Sequence, residues 1–328
     1  MRGREKARFR RRVRLIGVAA LAAMLAVFVA SPAVAKKKKK KVPPAVTTTA
    51  LAPISSAGSA SATANCTGKT HLSGGGYHVA PHYEPSNNSG LRSVSSTSTP
   101  VGVTAWNAKA DVFTNPSSSG SITAIARCES NALSQIGVVV SGSATVQPGI
   151  LDNLIIQCPS GTHVVSAGYD GTGLGSYTNA LSSFRILILQ SRRTALNEWT
   201  ISAFENSVGP NPPAGNITVS ALCEREAKGR SIGEVTQIAP FANVSRASAD
   251  ATCPAKQHVV SGGYLLSPIP SNMGTPPVVG VDEFEPVGNS TWHLGLHTVG
   301  PQPPGSSVAT YAYCAKDKVK KKKKKRKK

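Results

Sequence analysis

The run CPSGTHVVSAGY (residues 158–169) decides the reading of this chain, because the chain contains it three times. Its counterparts are CTGKTHLSGGGY (66–77) and CPAKQHVVSGGY (253–264), which begin 92 residues before and 95 residues after it. Self-similarity at such a period marks a repeated structural unit. Each copy opens on a cysteine, has a histidine five residues on (His71, His163, His258) and ends on Gly-Tyr. Each is followed by a single tryptophan (Trp106, Trp199, Trp292) and then by a run into a second cysteine: Ile122 to Cys128, Ile217 to Cys223, Val308 to Cys314.

The closing runs alternate with period two, which predicts strands with one buried and one wet face. Ile217, Val219, Ala221 and Cys223 share one face against Thr218 and Ser220. Ile122, Ala124, Ala126 and Cys128 do the same, with Thr123 and Arg127 assigned outward. Trp199, Ile201 and Ala203 alternate with Thr200 and Ser202, and Trp106, Ala108 and Ala110 with Asn107, Lys109 and Asp111. In the last run the same rule sends Tyr311 and Tyr313 to the outer face, opposite Cys314.

Further strands are expected in the His-Val-Val-Ser-Gly-Gly-Tyr run, in a middle segment such as Phe184 to Leu189, and in Gly137 to Val146. The glycines at the end of the first strand predict a bulge or a close backbone approach. Five or more strands in roughly ninety residues predict an all-β chain of three tandem, disulfide-closed antiparallel β-sandwich repeats. The alternative architecture is one pseudo-threefold, β-prism-like domain.

Residues 1–35 have the layout of an export signal: a basic stretch from Arg2 to Arg14, an apolar stretch from Leu15 to Ala30, and Ala33-Val34-Ala35 as a cleavage pattern. No second apolar stretch follows, so no transmembrane helix is expected once the signal is removed. Export makes the six cysteines disulfides. Fifteen pairings are conceivable, and the repeat symmetry selects Cys66–Cys128, Cys158–Cys223 and Cys253–Cys314. Each bridge closes a loop of about sixty residues and contributes about 4 kcal/mol in the chain-entropy model. The resulting organisation is signal 1–35, basic arm 36–41, repeats 42–130, 131–225 and 226–315, and basic tail 316–328.

Positive charge is confined to the ends. The total is +21, yet residues 42–315 hold 12 Lys/Arg against 14 Asp/Glu. One arm is Lys36, Lys37, Lys38, Lys39, Lys40 and Lys41. The other is the tail through Lys320, Lys321, Lys322, Lys323, Lys324, Lys325, Arg326, Lys327 and Lys328. Such runs stay solvated and bind polyanions by counterion release, with little selectivity. They lack the interleaved aromatics that stack on bases, and the export signal excludes an intracellular nucleic-acid role. The expected partner is an anionic cell-envelope polymer or another extracellular polyanion, with a glycan or protein ligand on the repeat loops.

The Cys-Pro start, the His-Val-Val-Ser-x-Gly-Tyr strand, the later Trp and the Ala-x-Cys end together resemble a repeat of exported actinobacterial proteins, sometimes found beside collagen-like regions. The resemblance spans most of residues 42–316 and implies an extracellular β module without a reaction. The first repeat departs from it, with Thr67 for the proline and three glycines, Gly74 to Gly76. The three-repeat plan is also similar to vitelline membrane outer layer protein, a β-prism about a pseudo-threefold axis with much shorter repeats.

His71, His163 and His258 are followed by Ser73, Ser166 and Ser261, the residue types of a Ser–His hydrolase. Neighbouring strand residues point to opposite faces, no repeated acid stands ready to orient the imidazole, and no nucleophile-elbow motif occurs. The histidines are therefore read as structural, bonding a turn, and no catalytic residue or cofactor is assigned. His71, His78 and His82 cluster in the first repeat, and His293 and His297 share the outward face of one strand. With no third ligand in view, no metal site is assigned. Asp282, Glu283 and Glu285 lack the spacing of a calcium loop and read as a solvated strand edge. Tyr311 and Tyr313, with Tyr264, could form a shallow aromatic platform for sugar.

These residues predict a secreted, non-catalytic, surface-associated binding or adhesion protein. The alternatives are an extracellular hydrolase of envelope polymer and a self-assembling coat protein.

Overall fold

Among the described residues each repeat supplies six strands, one more than the minimum expected, and these eighteen pair antiparallel with their sheet neighbours. The first repeat contains β1 (Ala45–Ile54), β2 (Ser59–Asn65), β3 (Thr70–Ala80), β4 (Ser93–Val101), β5 (Ala105–Val112) and β6 (Gly120–Ser130). The second contains β7 (Val138–Val146), β8 (Leu151–Gln157), β9 (His163–Asp170), β10 (Ile186–Ala195), β11 (Glu198–Glu205) and β12 (Gly215–Glu224). The third contains β13 (Arg230–Pro240), β14 (Arg246–Thr252), β15 (His258–Ser267), β16 (Val278–Val287), β17 (Thr291–Val299) and β18 (Ser307–Asp317). The structure, a computed structural model, describes residues 45–54, 59–82, 93–112, 119–130, 137–171, 186–205, 214–225, 230–241, 246–267, 278–299, 302 and 304–317.

Within a repeat the first, sixth and third strands form one half-sheet, and the second, fifth and fourth form the other. The half-sheets face each other as a small sandwich, and one disulfide crosses it from the end of the second strand to the sixth. The three bridges are Cys66–Cys128, Cys158–Cys223 and Cys253–Cys314, the pairing that the repeat symmetry selects.

The sandwiches are joined edge to edge. β3 of the first repeat pairs with β16 of the third, β9 of the second with β4 of the first, and β15 of the third with β10 of the second. Three six-stranded sheets result, each shared between two repeats, with orders β1-β6-β3-β16-β17-β14, β2-β5-β4-β9-β12-β7 and β13-β18-β15-β10-β11-β8. The sandwich and the threefold prism are thus two descriptions of one ring.

The glycine before each tyrosine makes the joints possible. A Cβ on Gly76, Gly168 or Gly263 would run into the backbone of Phe284, Ser98 or Ser191 on the partner strand across the seam. Each seam is only two residue pairs long, because a β-bulge interrupts β16, β4 and β10 immediately before it. A second bulge, at Ser73, Val165 and Val260, sits just ahead of the glycines in β3, β9 and β15. Bulges raise local twist and bend strands, which lets short sheets turn into a closed ring.

Each sandwich is centred on its tryptophan, at most 1% exposed. Gly75 and Gly262 make room for the indoles of Trp106 and Trp292; a Cβ at either would overlap the ring. Trp106 and Trp199 donate from Nε1 to Ser98 and Ser191, both at 3.1 Å. The third repeat has Phe284 at that register position. Trp292 meets its ring edge-on at 5.1 Å, and its Nε1 has no hydrogen-bond acceptor among the described residues.

The ring overturns several face assignments made from alternation. Arg127 is buried instead of facing solvent. Its guanidinium donates to Val259 O (3.0 Å), Thr47 Oγ1 (2.9 Å), Asn289 Oδ1 (2.8 Å) and the Gly288 and Asn289 carbonyls, locking the β16–β17 turn of the third repeat onto the first. Burial draws its pKa down to about 10, with Glu129 opposing. Tyr311 and Tyr313 are also buried. Tyr313 packs on Trp199 (5.4 Å), accepts the Arg193 amide at 2.7 Å and lies under the Arg193 guanidinium. In each case a neighbouring repeat covers the face that its own strand leaves open.

Candidate functional site

The lysine arms, Lys36–Lys41 and Lys320–Lys328, lie outside the described residues. Within the described body, three groups of chemically capable side chains stand out, and two of them lie where all three repeats meet.

The first is built from the repeated histidines. His71, His163 and His258 sit at the start of β3, β9 and β15, in register with Glu129, Glu224 and Ala315, the residues that follow the second cysteines. Two of the histidines, however, also reach a carboxylate of another repeat. His71 Nε2 meets Glu224 Oε1 at 3.0 Å, and His258 Nε2 meets Glu129 Oε1 at 2.6 Å. Arg230, from the start of β13, donates to Glu129 Oε2 and stands 3.9 Å from Glu224 Oε2. Burial alone would push the Glu129 carboxyl up; the bonds from His258 and Arg230 outweigh it and hold the carboxyl below its ordinary value. A buried carboxylate with cationic and imidazole donors on both oxygens has its desolvation offset.

This corrects two expectations. His71 and His258 bond carboxylates of another repeat, and an acid partner for the imidazole does exist. The Cys128-Glu129 and Cys223-Glu224 dipeptides were the available signal, missed because the third copy has Ala315 instead. Two of the three serines nevertheless bond backbone carbonyls. Ser73 donates to the carbonyls of Arg127 and Val260, and Ser261 to that of Val165. Ser73 is not the counterpart of Ser166 and Ser261 at all. The shared His-to-Tyr spacing puts Gly74 there, where a Cβ would lie 2.6 Å from that of Ser261.

The second group is a ring of tyrosines. Tyr77, Tyr169 and Tyr264 donate to the carbonyls of Val281, Ser95 and Ile188, at 3.2, 3.3 and 3.2 Å, each across a different seam. Burial raises all three hydroxyl pKa values. Tyr264 therefore closes a seam and is buried, and the expected sugar platform with Tyr311 and Tyr313 does not form.

The third group lies on the outer face of the sheet shared by the first and third repeats. His78 and His82 are separated from His71 and stand instead beside Glu283 and Glu285 of β16. His293 reaches Glu283 from β17 at 3.0 Å. His297 lies on the same side of β17 as His293 but is buried. It stands against the equally buried Asp282, with Nδ1 2.9 Å from Oδ2. The acidic segment is thus an internal strand between β3 and β17, not a solvated edge.

No protein-family model and no curated protein matches this sequence. Among the described residues, no helix is long and apolar enough to cross a membrane.

Proposed function

We propose that this chain is an exported, non-catalytic, surface-associated binding protein whose lysine-rich arms hold it to anionic envelope polymers. The observation that carries the reading is the segregation of charge: a total of +21 over a body that holds 12 basic and 14 acidic residues. Polyanion binding through such arms is strong at low salt and falls steeply as salt rises. Three disulfides support an oxidising compartment. The burial of the His71–Glu224 and His258–Glu129 pairs supports a structural role for these residues over a hydrolytic one.

Cell fractionation tests this. The full-length chain is expected to sediment with the envelope and to be released by high salt, and a chain lacking residues 36–41 and 318–328 to appear in the medium. Retention of both forms through high salt would instead assign recognition to the repeats.

A coat protein that assembles on itself is the second reading. It draws on the edge strands β1, β7 and β13, which are largely exposed and present Leu51, Val138 and Ile238 at 65%, 58% and 60% exposure. Unpaired edges of this kind template strand addition. Concentration-dependent assembly of the chain in high salt, seen by light scattering, would favour it.

A further inference from the structure

The outer face of the seam between the first and third repeats gathers three imidazoles and three carboxylates. Glu283 lies in register opposite His78, Glu285 opposite His293, and His293 opposite Asp250, so four adjacent strands contribute to one stripe. His82, two residues past β3, folds back over it, its ring 5.1 Å from that of His78. His82 Nε2 lies 3.0 Å and His78 Nδ1 3.8 Å from Glu283 Oε1, and His78 Nδ1 lies 3.1 Å from Glu285 Oε1.

Those separations have the size of a tetrahedral ligand set. Zinc bonds to nitrogen and oxygen of about 2.0–2.1 Å put neighbouring ligand atoms about 3.3 Å apart. The ligating atoms of His78, His82 and Glu283 all fall within 4.8 Å of one another. The residues are 16–30% exposed, so an ion has access from solvent. Behind them stands a supporting chain: His293 Nε2 holds the other oxygen of Glu283 at 3.0 Å, and Asp250 holds His293 Nδ1 at 2.6 Å. Carboxylate–histidine relays of this kind orient metal ligands.

The cluster is not a by-product of the repeat. At the two equivalent seams the residues in place of His78 and Glu283 are Asp170 with Thr97, and Leu265 with Gln190. Thr97 simply hydrogen-bonds Asp170 at 3.0 Å. Among the described seam pairs, only that between the first and last repeats sets a histidine against a glutamate.

We propose that His78, His82 and Glu283 form a transition-metal site of the zinc type, with Glu285 beside His78, and that the ion ties the first repeat to the third where the ring closes. Two imidazoles with carboxylates suit zinc and its neighbours, whereas an all-oxygen set would suit calcium or magnesium. An ion bound by both repeats stabilises the closed ring by mass action.

The test is calorimetric titration of the chelator-stripped full chain with zinc chloride, paired with cobalt(II) substitution read by visible absorption. The expected result is one equivalent of zinc, tetrahedral cobalt bands and a melting temperature that rises with zinc. His82→Ala and the near-isosteric Glu283→Gln should each weaken binding by at least about tenfold, while melting like the parent in chelator. The absence of binding by the parent chain, binding unchanged in both variants, or binding of calcium in preference to zinc would each overturn the proposal. None of these outcomes depends on the lysine arms, so the envelope-binding reading stands or falls separately.

Discussion

His258 Nε2 lies 2.6 Å from Glu129 Oε1, joining residues from the third and first repeats inside the protein. The same carboxylate accepts Arg230 on its other oxygen. Replacing Glu129 with alanine removes the nearer of the two carboxylates beside the buried Arg230, the other being Glu224 at 3.9 Å. Loss of one partner of such a buried pair costs about 3–5 kcal/mol. Urea unfolding at neutral pH should show a loss of that size; a loss below about 1 kcal/mol would remove this cluster from the forces that close the ring.

The same residue sets a pH dependence. Its carboxyl is held below the ordinary value of 4.5 in the folded protein despite burial, through His258 and Arg230. A group depressed in this way contributes stability above its unfolded pKa, and that contribution is lost as pH falls through the folded pKa. His71, Glu224 and Arg230 share the cluster, so the loss is read against a Glu129→Gln chain. Between pH 6 and 3 the parent should lose more stability than the variant, with the gap opening below about pH 4.5. Parallel curves would show that Glu129 titrates alike in both states.

Glycines at the seam and on an edge should respond in opposite ways. Gly76→Ala drives a methyl into the Phe284 carbonyl across the seam, where neither backbone can yield without breaking the two-pair joint. A cost of about 1–3 kcal/mol or more is expected for such overpacking. Gly142 on the exposed edge strand β7 has open space where a Cβ would go, and Gly142→Ala should change stability by no more than about 0.5–1 kcal/mol. Thermal melts of the two variants side by side decide the point.

Arg127 tests how much geometry matters beyond charge. Five hydrogen bonds leave its guanidinium in several directions toward Thr47, Val259, Gly288 and Asn289. A lysine retains the charge and loses the planar fork, stranding buried acceptors at about 1–3 kcal/mol each. Arg127→Lys should therefore destabilise by about 2–4 kcal/mol in urea; a neutral result would place the anchoring of the β16–β17 turn elsewhere.

Each disulfide is expected to be a large fraction of net stability. All six cysteines are paired, so intact-mass analysis after alkylation without reductant should find no modified thiol. Removing the second bridge by Cys158→Ser with Cys223→Ser should cost about 2–5 kcal/mol.

Much of the fold was legible in the three copies of one short run. Cysteine order and repeat symmetry selected the bridges that form, alternation located the strands around Trp106, Trp199 and Trp292, and the Gly-Tyr ends announced the close backbone approach now seen at Gly76, Gly168 and Gly263. Legibility stopped at the second face of each strand. Alternation assigned Arg127, Tyr311, Tyr313 and His297 to solvent, and all four are buried. The candidate site suffered more, since His82 and Glu283 are 201 positions apart in the chain.

The sequence by itself determined the class of fold, the bridge pattern and the confinement of positive charge to the ends, because periodicity, repeat spacing and composition are local properties that a chain displays without folding. Only the tertiary structure decided that the sandwiches share sheets, that His71 reaches Glu224, and that His78 and His82 meet Glu283. Those contacts depend on which repeat lies across each seam. That is set by the packing of residues from 73 to 207 positions apart, for which no local pattern is written.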